Sequence, residues 1–183
     1  MAMSFGSYSS RVVATRVVAL DGTGDFTDIQ SAINDLPSGG GVVYVKEGTY
    51  EVSSGIIINK ENVSLIGSGK STIIKNTAEG SGIYVRASGC FISQLNIDGN
   101  NNMGIIGIDI GLRCTEVKIL SCWIHNFSSY GIGTYRNAGV LIEGNFIYSN
   151  GVGINFCGTN SSTVVGNWIY DNGAGITMAD AWF

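Results

Sequence analysis

Proline is almost missing from this 183-residue chain: Pro37 is the only one, and His125 is the only histidine. Charged residues make up 13%, roughly half the usual share. The four cysteines, Cys90, Cys114, Cys122 and Cys157, lack metal-ligand spacing, which argues against a structural zinc site. Basic residues number 10 against 14 acidic ones, giving a net charge of −4. That balance offers no electrostatic pull toward nucleic acid or an anionic membrane. No apolar run approaches the roughly 18 residues of a membrane span. The first residues, Met1 to Arg11, carry no long apolar stretch of the signal-peptide kind. With 44% hydrophobic residues and so little charge, the composition is not that of a disordered chain.

What the chain has in plenty is Gly (27), Ile plus Val (38) and Asn (16). β-Branched residues with glycine and asparagine point to many short strands joined by tight turns. The strands repeat. Cys122-Trp-Ile-His-Asn126, Asn145-Phe-Ile-Tyr-Ser-Asn150 and Asn167-Trp-Ile-Tyr-Asp-Asn172 align, and Leu95-Asn-Ile-Asp98 is a looser copy. Each later copy runs into a glycine-led strand: Gly131-Ile-Gly-Thr, Gly151-Val-Gly-Ile and Gly173-Ala-Gly-Ile. Ile97, Ile124, Ile147 and Ile169 are separated by 27, 23 and 22 residues. A fixed strand motif on a variable period describes stacked coils with loops of different length. The expected fold is all-β: a right-handed parallel β-helix over residues 17–183, behind an N-terminal extension of residues 1–16. Neighbouring coils should lie about 4.8 Å apart.

Charge sets the parity of each strand. Asp98 and His125 are costly inside an apolar core, so the adjacent isoleucines point inward. Leu95, Cys122, Asn145 and Asn167 form a second internal column, with the two asparagines as an amide ladder. A further strand is expected to send Ile83/Val85, Ile108/Ile110, Ile132/Thr134, Val152/Ile154 and Ala174/Ile176 inward. The open first coil needs a plug. Thr27-Asp-Ile-Gln30 reads as a capping box opening a helix over about 27–36, with Ile29, Ile33 and Leu36 as its apolar stripe. No such plug is visible at Ala181-Trp-Phe183.

Three stretches carry a family likeness. They are Ala19-Leu-Asp-Gly-Thr-Gly-Asp-Phe-Thr-Asp-Ile-Gln-Ser-Ala-Ile33, Gly40-Gly-Val-Val-Tyr-Val-Lys-Glu-Gly-Thr-Tyr-Glu51 and Val63-Ser-Leu-Ile-Gly-Ser-Gly-Lys-Ser-Thr-Ile-Ile-Lys75. Together they resemble the N-terminal part of the pectin lyase-like superfamily, pectin methylesterases especially. The resemblance implies a carbohydrate-active β-helix. Its motif is structural and does not select a reaction. The catalytic segments of pectin methylesterases, polygalacturonases, pectate lyases and alginate epimerases do not occur, so no family active site carries over. Two functions follow as expectations. One is a polysaccharide-binding or polysaccharide-modifying protein. The other is a structural β-helix of a surface fibre, spike or filament. Either implies an extracellular, cell-surface or virion-surface location.

Candidate residues come from the outward columns. Trp123, Phe146 and Trp168 follow Asn96 in one; Asp98, His125, Tyr148 and Tyr170 form the next. An exposed run of large rings marks a contact surface, for a polysaccharide chain or for another copy in a homo-oligomer. Trp123, Phe146, Trp168 and Tyr170 are the expected sugar platforms. Arg136, and similarly Arg113, is placed to meet uronate carboxylates. Asp98, His125 and Tyr148 on adjacent coils are the candidate acid–base group for proton abstraction beside a carboxylate. Arg86 and Asp109 read as a surface ion pair. No cofactor is expected; the oxygen-rich turn Asp98-Gly-Asn-Asn-Asn102 is a weak candidate for Ca²⁺.

Overall fold

The computed structural model describes residues 14–101 and 103–179. Three parallel sheets wrap a common axis; six coils each give one strand to every sheet, and Arg16–Val18 adds a seventh strand to the first. The first sheet has seven strands, from Arg16–Val18 and Gly41–Val45 to Thr163–Val165. The second has six, from Gly48–Val52 to Trp168–Tyr170. The third has six, from Ile56–Ile58 to Ala174–Ala179. All pairings are parallel and between successive coils, as a β-helix requires. The extension expected over residues 1–16 falls mostly outside the described residues, as does the aromatic tail at 181–183.

Parity is as the charges dictate. Ile97, Ile124 and Ile147 are fully buried, stacked in register, with Ile169 packed on the same core. Each buried isoleucine contributes about 1.5–3 kcal/mol of apolar transfer free energy.

The amide ladder is present. Asn145 Nδ2 donates to Ile119 O and to Asn167 Oδ1, both at 2.9 Å, while its own Oδ1 accepts from Cys122 N at 2.9 Å. A second ladder at the next corner was not foreseen. Asn150 Nδ2 donates to Ile124 O at 3.1 Å and Asn172 Oδ1 at 3.0 Å, and Asn150 Oδ1 accepts from Phe127 N at 3.1 Å. Both ladders stand where the backbone turns through a left-handed residue. Gln94, Ser121, Gly144 and Gly166 have φ of 57, 53, 64 and 64° just before the first ladder's column. The amides satisfy backbone groups that the corners leave without sheet partners.

The inward assignment of the last two third-sheet strands needs correction. Ile132 and Thr134 pair with Ile154 and Phe156, then with Ile176 and Met178. Val152 pairs with Tyr130 instead and is only partly buried. The cause is a glycine column. A Cβ on Gly107, Gly131 or Gly153 would lie 2.5–2.8 Å from Cγ2 of Ile124, Ile147 or Ile169 and 2.4–2.7 Å from the next coil's carbonyl. The inward run therefore starts at these glycines, where only a hydrogen fits, and not at the residue before them.

The helical plug is real but shifted. The helix α1 spans Ile29–Asp35, and Asp28 rather than Thr27 is its N-cap, accepting from Ser31 N at 2.7 Å. Gln30 is not part of a capping box. It reaches the free edge of the third sheet, where Oε1 accepts from Ile57 N at 2.7 Å and Nε2 donates to Ile57 O at 3.1 Å. At the other end of the helix, Lys60 Nζ donates to the carbonyls of Ile33, Asn34 and Leu36 at 3.2, 2.7 and 2.6 Å. That offsets the unpaired carbonyls and the negative end of the helix dipole. Among the described residues, Ile176 and Met178 on the last strand are 48% and 82% exposed.

Candidate functional site

The outer surface of the second sheet carries two straight columns. Pairing in register places Glu51, Lys75, Asp98, His125, Tyr148 and Tyr170 on six successive coils. Beside them stand Thr49, Ile73, Asn96, Trp123, Phe146 and Trp168. The spacing of the strands, and not any loop, brings Asp98, His125 and Tyr148 together.

His125 is held on three sides. Its Nε2 lies 2.8 Å from Asn96 Oδ1, its Nδ1 lies 3.6 Å from Asp98 Oδ1, and its ring stacks on Tyr148 at 4.7 Å between centroids. Asn96 Nδ2 donates to Lys70 O at 3.3 Å, so its oxygen faces the imidazole and the ring proton sits on Nε2. Nδ1 is then a buried atom without a hydrogen-bond partner. Burial pushes the imidazole below its ordinary pKa; Asp98 opposes the shift and Lys70 adds to it. Asp98 is itself oriented, because Oδ1 accepts from Asn100 N at 2.9 Å and Asn126 Nδ2 at 3.0 Å. Burial raises the Tyr148 phenol, helped by Tyr170 and Asp98.

The apolar column differs from a row of sugar platforms. Trp123 stacks on Phe146 at 5.6 Å and Phe146 on Trp168 at 6.1 Å, and Tyr148 stacks on Tyr170 at 5.1 Å. Ring faces therefore cover one another, and solvent meets ring edges. Only the final rings are well exposed, Trp168 at 66% and Tyr170 at 45%. Arg136 is not part of this surface. It follows the third-sheet strand Tyr130–Tyr135, in a turn at φ 50°.

Sequence reasoning treated Arg86 and Asp109 as a plain ion pair, and here it missed a cleft. On the third sheet, Arg86 Nη2 bonds Asp109 Oδ2 at 3.0 Å, and the guanidinium lies 4.9 Å above the Tyr84 ring. With Gly111, Leu112 and Tyr135 the pair lines a concavity of about 480 Å³. The signal was the glycine at 111 next to the inward-facing Ile110, which leaves an outer rung without a side chain.

Among the described residues no group of three or more His, Cys, Asp or Glu is arranged to hold a metal ion. Asn102 of the Ca²⁺ candidate turn lies outside them. Cys90, Cys114 and Cys122 are buried thiols and Cys157 is half-buried; none is paired.

A stack of parallel coils sealed by one short helix is matched, over residues 17–169, by the family described as the right handed beta helix region. The chain belongs to the right-handed β-helix family. Among curated proteins, this β-helix is similar to a putative pectinesterase/pectinesterase inhibitor 38 of Arabidopsis thaliana. The two are 32% identical over 106 residues, covering 54% of this chain and 21% of the relative. It is also similar to pectinesterase 1 of Solanum lycopersicum, 38% identical over 61 residues, covering 32% of this chain and 11% of that one. The chain thus spans about a fifth or less of the curated relatives it matches. Among solved structures, Geobacillus virus E2 ORF18 aligns with a TM-score of 0.65 at 27% identity, over 75% of this chain and 31% of that one. The A-module of the Azotobacter vinelandii mannuronan C-5 epimerase AlgE4 aligns with a TM-score of 0.67 at 20% identity, over 84% of this chain and 53% of that one. The latter likeness is one of fold.

Proposed function

We propose that this β-helix binds and modifies an acidic polysaccharide laid along its second sheet. The observation that carries the reading is the registered column of Lys75, Asp98, His125 and Tyr148, flanked by a ridge of aromatic edges. A polymer running parallel to the axis meets one such group per coil, about every 4.8 Å. Lys75 supplies a cation for a uronate carboxylate. A glycan group that displaces the Asn96 amide frees His125 Nε2; in the tautomer with the ring proton on Nδ1, facing Asp98, Nε2 takes the glycan's proton, Asp98 steadies the imidazolium that forms, and Tyr148 is the phenolic partner. Relatives named as pectinesterases support the substrate class. The reading carries with it a location outside the cell or on a cell or virion surface.

The test is incubation with methylated pectin, polygalacturonate and polymannuronate. Released methanol, unsaturated uronate absorbance and proton NMR of the epimer ratio report esterase, lyase and epimerase chemistry in turn. Change in one of them, lost in His125→Ala, supports the reading; no change in any, with no retention in glycan-loaded gels, contradicts it.

A second reading is a structural β-helix of a surface fibre or spike. Its support is the similarity to a virus-encoded chain. Light scattering after size exclusion tests it: trimers or polymers favour it, and a monodisperse monomer counts against it.

A further inference from the structure

Exposed apolar side chains gather on one sheet. Outside the strands Thr163–Val165, Trp168–Tyr170 and Ala174–Ala179, the exposed large hydrophobics among the described residues are Leu20, Ile57, Met103, Ile105 and Leu112. Four of these five border the third sheet. Ile57 lies in its first strand, Met103 and Ile105 precede the strand Ile106–Ile110, and Leu112 follows it. Such a cluster marks a contact surface. The face is also neutral: Asp109 is the only charged residue within the six strands, and Arg86, which follows Ser81–Val85, bonds it at 3.0 Å. Its relief sets a knob beside a hole. Leu112, 68% exposed, stands at the rim of the concavity that it lines with Arg86, Asp109, Gly111 and Tyr135. A second outer rung is bare at Gly133, which pairs with Asp109 and where a Cβ would come no closer than 3.5 Å to Tyr130, Ile106 or Tyr135.

A knob next to its own hole is self-complementary across a two-fold axis, because each copy fills the other. We propose that two copies of this chain associate face to face through the third sheet, about a two-fold axis close to Arg86 and Asp109, with Leu112 of each copy seated over Gly111 of the other. The ion pair obeys the same symmetry. Arg86 spends one short bond within the chain, and its contacts to Val85 O and Asp109 O are longer, at 3.4 and 3.5 Å. Its remaining N–H groups reach the Asp109 carboxylate across the axis, and the reverse bond forms too, so burial leaves neither charge unmatched. Stacking on Tyr84 at 4.9 Å fixes the guanidinium before contact. Six strands about 4.8 Å apart, of five residues at about 3.3 Å each, give a footprint of roughly 24 by 17 Å. That is the low end of specific interfaces, so the dimer should form at micromolar concentration. The second sheet of each copy stays open, and the dimer stands whether or not a glycan binds there.

Sedimentation equilibrium of the full chain, over about two decades of concentration around 10 μM, tests the association, and NMR amide shifts on dilution locate it. The expected result is a monomer–dimer equilibrium with dilution shifts at Ile57, Tyr84, 109–112 and 133–135. Leu112→Asp, which puts a charge on the knob, should weaken the dimer at least about tenfold. Leu20→Asp, at an exposed apolar position off the third sheet, should leave it unchanged, and a thermal melt checks that both variants are folded. Three results overturn the proposal. One is a monomer at every concentration, including one whose apolar face takes up lipid vesicles instead. Another is an equilibrium that Leu112→Asp does not move. The third is dilution shifts confined to Trp168–Tyr170 and Ala174–Ala179, which would mean end-to-end stacking and leave the fibre reading standing.

Discussion

The rings of Trp123 and Phe146 lie 5.6 Å apart and within 2° of parallel, so each closes a face of the other. Stacking along the coil axis turns exposed aromatics into a ridge of edges, with one open face at Trp168. Removing a middle ring and removing the last ring should therefore differ. Phe146→Ala breaks two stacks and should cost about 2–4 kcal/mol in urea unfolding. Trp168→Ala should cost less than 1.5 kcal/mol and act mainly on glycan affinity. Equal effects of the two on stability would contradict the ridge.

The asparagine ladder gives a second prediction. Asn145 serves Cys122 N, Ile119 O and Asn167 in a site closed to water. Asn145→Ala leaves these groups unpaired and should destabilise by about 2–4 kcal/mol, measured by urea denaturation. Asn167→Ala, at the partly exposed end of the same ladder, should cost roughly half as much.

The glycine column gives a third. A methyl on Gly131 would meet Gly153 O at 2.7 Å and Ile147 Cγ2 at 2.8 Å. Gly131→Ala should lower stability by about 1–3 kcal/mol or more. Ser121, at φ 53°, stands at a corner where the next coils use Gly144 and Gly166. Ser121→Gly should be neutral or stabilising by up to about 1 kcal/mol. Thermal melts of the two variants check the pair.

His125 predicts a pH dependence. Its folded-state pKa lies below the ordinary 6.5, chiefly through burial, so the unfolded chain takes up the proton first as pH falls. Stability from this group is present above pH 6.5 and is lost as pH drops through the lowered folded value. Asp98 faces Nδ1 and moderates the loss, while Lys70 adds to it and Tyr148 covers the ring. Unfolding free energies at pH 7.5 and 5.5 should fall further in the wild type than in His125→Asn. An equal fall in both would remove His125 as the cause.

Much of this fold was legible because strand parity follows from where charge can sit. Asp98 and His125 fixed Ile97 and Ile124 inward, and pairing in register then aligned Tyr148 and Trp168. What escaped depends on corners and on empty space. Val152 looked inward because the hydrogen of Gly153, rather than any side chain, fills that place against Ile169. Asn150 read as a turn residue, although its amide joins three coils. The Arg86 cleft exists through the side chain that Gly111 lacks, and a missing group leaves little trace in a hydrophobicity pattern. The covered faces of Trp123 and Phe146 follow from rotamers, which alternation does not encode.

The central claim is that an acidic glycan lies along the second sheet. Amide chemical-shift mapping with an oligogalacturonate of six or more units, alongside an oligomannuronate of equal length, tests it most directly. At least one should move the amides of Trp123–His125, Phe146–Tyr148 and Trp168–Tyr170 together and saturably. No shift on that sheet with either glycan, or shifts confined to the first sheet, would contradict the account.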